Sequence, residues 1–144
     1  MPASGKSQIV DANVWLALVY SDHVHHAKAI NWFNDQSDGS TSFCRITQMA
    51  LLRHLTNTKI MGEFVQTQLA AWRVYDSLFR DPRVSFIDEP INIETVRNHT
   101  QAANPSHNTW TDAYLASFAI KTSNRLVTFD KGFRHFEDLE ALIL

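Results

Sequence analysis

Apolar and polar positions alternate along the chain in a way that predicts short strands separated by amphipathic helices. Ile9 and Val10 are β-branched and close a short buried strand, and Val14–Tyr20 reads as a helix with Asn13 as its cap. Ser21-Asp22 offers a second cap, and His23–Gln36 carries Val24, Ala27, Ile30 and Phe33 on one side. After the loop Ser37-Asp38-Gly39-Ser40, Thr41–Cys44 reads as a strand. Thr47 then caps a helix through Met49, Leu51, Leu52 and Leu55. Lys59–Glu63, with Gly62, marks a break, Val65–Phe79 is a further helix, and Asp81-Pro82 ends it. Val84–Ile87 is the next strand.

Pro90 introduces a helix over Ile93–Ala103, stopped by Asn104-Pro105. The polar loop Asn104–Asn108 leads to Thr109-Trp110-Thr111-Asp112 and a helix in which Ala113, Ala116 and Ala119 form a small-residue stripe suited to lying close on a sheet. Arg125–Asp130 is a strand that ends in a carboxylate, Lys131-Gly132-Phe133 turns away, and Leu139–Leu144 holds a last short strand near residue 142. Strands alternating with helices predict a single α/β domain over 1–144, its mostly parallel sheet sandwiched between helices.

Composition narrows the partners more than the fold. With 144 residues, 44% hydrophobic and 19% charged, the chain can bury a core and is neither fibrous nor disordered. A net charge of −2 excludes a polybasic nucleic-acid binder, so any RNA or DNA site is a local patch. One such patch runs from Gly39 to Gly62, where no acid interrupts Arg45, Arg53, His54 and Lys59; Arg97, His99 and His107 are further candidates for phosphate contacts. The single cysteine, Cys44, sits beside Phe43 and Ile46 and reads as a small core residue. His23, His25 and His26 do not converge on one helical face and read as a solvated helix start. Met1–Gln8 lacks the apolar stretch of a signal peptide, and Val14–Tyr20 falls far short of the roughly 20 residues that cross a bilayer. A soluble, cytoplasmic chain with no membrane association is the expectation.

Two strands end in Asp, Asp11 and Asp130, and in one parallel sheet both emerge at the edge where ligands bind. Asp112 begins the helix before the second of these strands, and the helix N-terminus favours its ionised form. Three converging carboxylates repel one another unless a cation lies between them, and oxygen-only donors suit Mg²⁺ or Mn²⁺. Local duties compete with this reading. Asp112 follows Thr109 at nearly capping-box spacing, Asp130 suits a turn, and Asp11 can cap a helix.

The stretches Ile9–Leu16, Trp110–Ala116 and Leu126–Phe133 resemble the three acidic motifs of the PIN-domain ribonucleases, and more narrowly of VapC-type toxins of type II toxin–antitoxin pairs. Phe43–Gln48 with Arg53–Asn57 is similar to the corresponding segment in one branch of those toxins. The resemblance implies a three-layer α/β/α PIN-like domain with a mostly parallel central sheet. It also implies RNA cleavage dependent on Mg²⁺ or Mn²⁺, a homodimer, and a cognate antitoxin that blocks the site. Asp11, Asp112 and Asp130 match the catalytic, metal-binding acids, and Asn13 and Thr128 match supporting polar positions. One position departs: the family's usual Glu, three residues after the Thr of the third helix, falls on Ala50. That gap leaves open a catalytically weakened module that only binds RNA or antitoxin. An aspartyl-phosphate enzyme also ends its first strand in Asp, but haloacid-dehalogenase-like phosphatases usually carry a second Asp two residues on, where this chain has Asn13.

Overall fold

Five short strands form one sheet in the computed structural model, which describes residues 7–101 and 106–144: β1 (Gln8–Val10), β2 (Thr41–Phe43), β3 (Val84–Phe86), β4 (Arg125–Thr128) and β5 (Ala141–Ile143). Their order is β3-β2-β1-β4-β5, and every neighbouring pair is parallel. Ile9 lies opposite Ser42 on one side and Leu126 on the other. Because side chains alternate along a strand, Val10 and Val127 enter one core while Ile9 and Leu126 enter a second on the opposite face.

A parallel sheet needs crossovers, and these cover both faces. The connections from β1 through β2 to β3 carry α1 (Ala12–Val19), α2 (His26–Asn34), α3 (Arg45–Leu55), α4 (Thr58–Met61) and α5 (Gln68–Phe79), which enclose the first core. The return from β3 to β4 carries the 3-10 helix Ile93–His99 and α6 (Thr109–Lys121) over the second, where the 3-10 helix Lys131–His135 also joins β4 to β5. The winding reverses between β1 and β4, so a crevice opens at their carboxyl ends.

Each core has a plain anchor. Trp15 is fully buried and stacks on Phe43 with centroids 4.1 Å apart and planes 8° from parallel. Truncating such a ring costs about 3–5 kcal/mol. On the other face Ala113, Ala116 and Ala119 are fully buried, so the expected stripe does bring α6 close to the sheet. No helix among the described residues is long and apolar enough to cross a membrane.

Helix starts depart from expectation where cap chemistry was the guide. Asp11, not Asn13, is the N-cap of α1. Cys44, not Thr47, caps α3; Thr47 lies one turn inside, and its hydroxyl accepts from the Cys44 N–H at 3.0 Å. α2 begins at His26 rather than His23, because the His25 N–H turns back onto His23 Nδ1 at 3.0 Å. The three histidines are half-buried, not solvated: His25 stacks on Phe129 at 4.5 Å, and His26 Nδ1 lies 2.6 Å from the Ala17 carbonyl oxygen. α5 starts at Gln68, capped by Thr67, after a 3-10 turn at Gly62–Phe64. The segment from Ile93 is a 3-10 helix to His99; Ala102, Ala103 and the stop at Asn104-Pro105 lie outside the described residues.

Candidate active site

The crevice between β1 and β4 is closed by a chain of polar side chains. Asp11 leaves the end of β1 with both carboxylate oxygens engaged: Oδ1 accepts from the Ala12 N–H and Oδ2 from the Thr128 hydroxyl, each at 2.8 Å. Thr128, fully buried at the end of β4, accepts in turn from the Asp130 N–H at 3.0 Å and from Asn13 Nδ2 at 3.4 Å. Asn13 Oδ1 accepts from the Phe129 N–H at 3.4 Å, so Asn13 spans the two strand ends instead of capping its helix. Asp130 Oδ1 accepts from the Gly132 N–H at 2.8 Å, where a Cβ on Gly132 would come within 3.0 Å of that oxygen.

Asp112 is different. It stands half-buried in the first turn of α6, and its carboxylate makes no hydrogen bond or ion pair among the described residues. Thr109 gives no capping box, since its hydroxyl donates to Ser106 Oγ at 2.8 Å.

The three carboxylates feel one another. Desolvation pushes the Asp11 carboxyl up from the ordinary 3.8 to about 6; the bonds from Thr128 and Ala12 oppose this, and the charges of Asp112 and Asp130 add to it. Burial raises Asp112 too, then the charge of Asp130, while His135 pulls the other way. The helix N-terminus, worth about 0.3–1 kcal/mol, favours the ionised form of Asp112, and burial beside a like charge opposes it and leaves its pKa raised. None of the three acids pairs with a lysine or arginine among the described residues.

This donor set fits a hard divalent cation that keeps part of its water shell. Among the described residues no three acidic, histidine or cysteine side chains stand close enough together to hold a metal ion as a group, and Asp11 and Asp130 each hold a local donor. Mg²⁺ does not require an all-protein cage, since one or two carboxylates plus waters satisfy it. Uncompensated oxygen ligands of one sign are what such an ion neutralises.

The basic candidates separate. Arg45 is exposed at the first position of α3, just beyond β2 at the same sheet edge. Its guanidinium donates to Gln48 Oε1 at 2.6 Å and lies 4.7 Å over the Phe86 ring. Arg53 and His54 occupy the last turn of α3, about 12 Å further along its axis at 1.5 Å per residue. Burial and then Arg53 lower the His54 pKa, so that ring favours its neutral form. The acid-free segment is therefore not one patch.

Ala50 lies in α3, and no acid of α3 or α4 takes the expected place. Two groups escaped the sequence reading. His135, in the turn that Asp130 caps, faces Asp112 electrostatically. Glu89, just after β3, accepts from the Tyr114 hydroxyl at 2.6 Å, and burial followed by that carboxylate drives the Tyr114 phenol pKa far up. His135 had a faint signal in its distance from Asp130, whereas nothing in the sequence pairs Glu89 with Tyr114.

The PIN domain family model matches residues 9–139. Ribonuclease VapC41 of Mycobacterium tuberculosis is 36% identical over 142 residues, covering 94% of this chain and 97% of its own. Ribonuclease VapC29 of the same organism is 32% identical over 136 residues, covering 94% and 95%. Two solved structures share the fold. Mycobacterium tuberculosis VapC20, a Sarcin-Ricin loop cleaving toxin, has a TM-score of 0.67 at 14% identity, covering 93% of this chain and 98% of its own. VapBC2 from Rickettsia felis, bound to a promoter DNA fragment, has a TM-score of 0.65 at 13% identity, covering 94% and 97%. With the strand order and the placement of Asp11, Asp112 and Asp130 already in hand, these matches decide the family: the chain belongs to the PIN-domain family, within its VapC-type ribonucleases.

Proposed function

We propose that this chain is a divalent-metal-dependent endoribonuclease, the toxin of a toxin–antitoxin pair, acting at the sheet edge that carries Asp11, Asp112 and Asp130. The observation that carries the reading is Asp112. Asp11 and Asp130 have structural duties as caps, but the Asp112 carboxylate has none, and it is held half-buried beside two like charges. A fold tolerates that cost where a function uses it.

Mg²⁺ or Mn²⁺ held by the three carboxylates would supply Lewis acidity, making water more acidic and offsetting phosphate charge. The protein's own groups do the rest. Asn13 and Thr128 fix the Asp11 carboxylate against the end of β4. Arg45, pre-set by Gln48 and Phe86, binds a backbone phosphate along the edge. Water attacks phosphorus, one P–O ester bond breaks, the Asp112 carboxylate takes the water's proton, and a solvent water protonates the leaving ribose oxygen, the resulting hydroxide being neutralised by the proton Asp112 releases. Gln48 and Phe86 support Arg45, whereas Arg53 and His54 stand away from the reaction.

The named ribonuclease activity of VapC41 and VapC29 does not favour a binding module that has lost catalysis. The shared fold with a toxin–antitoxin complex from Klebsiella pneumoniae supports a cognate antitoxin that occludes this edge. Exposed Met49, Leu69 and Trp72 on α3 and α5 offer apolar surface for a second copy, which a strictly monomeric sedimentation profile would refute. An RNA substrate and an antitoxin partner support action in the cytoplasm. Purified protein should cleave structured RNA with Mg²⁺ or Mn²⁺, stop with chelator, and lose activity as Asp11→Asn. Equal cleavage by that variant would assign the activity to a contaminant.

A further inference from the structure

A cleft of about 480 Å³ opens between the 3-10 helix Ile93–His99 and the segment that follows Asp130. Asn98, His99, Gln101, His135, Phe136 and Asp138 line it. His135 joins it to the acidic site, because it ends the 3-10 helix Lys131–His135 that Asp130 caps. Its volume falls in the range of small-ligand pockets, roughly 300–1,000 Å³.

The lining is wrong for a phosphate and right for a base. Among the described residues no lysine or arginine lines the cleft, and Glu137 stands there with Asp138, two carboxylates that repel anions. Aromatic rings supply the walls. Phe136 is buried in the second core, with His99 edge-on to it at 5.6 Å and 89°, and with His135 tilted against it at 5.3 Å. The Asn98 and Gln101 amides are exposed and make no side-chain hydrogen bond among the described residues, so their donors and acceptors are free. Unpaired RNA bases are recognised in this way, by stacking on rings and by hydrogen bonds along the base edge. Amides and carboxylates are the side chains that read base amino groups and ring nitrogens.

We infer that this cleft is a nucleobase subsite, in which an unpaired base next to the scissile phosphodiester stacks on the histidine rings and is read by Asn98 and Gln101. The inference rests on the ribonuclease reading and deepens it: the substrate is RNA with a splayed, single-stranded nucleotide at the cut. Backbone charge plays no part in the cleft, so uncharged nucleosides are the cleanest probe.

Titration of the full chain with adenosine, cytidine, guanosine and uridine, followed by NMR, reads the cleft directly. One nucleoside should shift the side-chain NH₂ signals of Asn98 and Gln101 and the ring signals of His99 and His135, with an affinity on the order of millimolar. The double variant Asn98→Ala, Gln101→Ala, at two exposed positions, should weaken it about tenfold. Mapped on RNA, wild-type cuts should favour one neighbouring base, and the double variant should still cut but lose that bias. Nucleosides that leave the cleft signals unmoved, or a bias unchanged in the double variant, overturn the subsite alone. Nucleoside binding in the cleft by a protein that leaves every RNA intact supports the subsite and overturns the ribonuclease reading.

Discussion

Replacing Asp11 with Asn should stabilise the metal-free protein at neutral and higher pH, an unusual outcome for a residue at the centre of a site. The Asp11 carboxyl is raised from 3.8 to about 6, so the folded state holds this proton more tightly than the unfolded chain does. Stability therefore falls as pH rises from about 4 to about 6 and stays low above that. That rise corresponds to about 3 kcal/mol. Asparagine removes the charge and keeps an oxygen for the Ala12 N–H. It weakens the bond from Thr128, because a hydroxyl bound to a charged acceptor is worth about 1 kcal/mol more than one bound to a neutral acceptor. The net gain is about 2 kcal/mol. Urea unfolding in chelator at about pH 8 should show it, and the gain should shrink towards about pH 4. Adding Mn²⁺ should reverse the order, since only the wild type keeps all three ligands. A variant less stable than wild type by a margin that ignores pH would refute the electrostatic argument.

Thr128→Val removes one donor and one acceptor from a fully buried junction and should cost about 1–3 kcal/mol, read as a lower urea midpoint that Thr128→Ser largely restores. Arg45→Ala, in the Asp11→Asn background, should weaken RNA binding and reduce the slope of log affinity against log salt by about 1, whereas Arg53→Ala leaves both unchanged. Gly62 sits at φ 55, ψ −128, and a Cβ there would meet nothing within 4 Å. Gly62→Ala should therefore cost about 1–3 kcal/mol in thermal unfolding through backbone strain alone, and an unchanged midpoint would contradict that.

The sheet was legible because its strands carry apolar or β-branched residues and are bounded by turn residues, and β1, β2, β3, β4 and β5 all lie where that pattern puts them. The helix starts were less legible because a cap is a geometric relation, not a residue type. Asn13 has the right side chain for a cap, yet it reaches across the crevice to Thr128 and Phe129, while Asp11 takes the local duty. Cys44 caps α3 without belonging to the usual capping residues. The acids of the site were visible as strand-end and helix-start carboxylates. The charge balance among them was not, because a helix terminus can be read from sequence and the burial of Asp112 beside Asp130 cannot. The basic segment misled for a related reason: Arg45, Arg53 and His54 are close in sequence, but a helix carries them to opposite ends.

The most direct test of the account is the Mn²⁺ dependence of RNA cleavage by the wild type and by Asp11→Asn, Asp112→Asn and Asp130→Asn. One shared cation site predicts that the wild type saturates with Mn²⁺ and that each variant is inactive or needs far more of the ion. Cleavage that persists in chelator, or an Asp112→Asn variant with the wild-type Mn²⁺ curve, would show that these three carboxylates do not form the catalytic site.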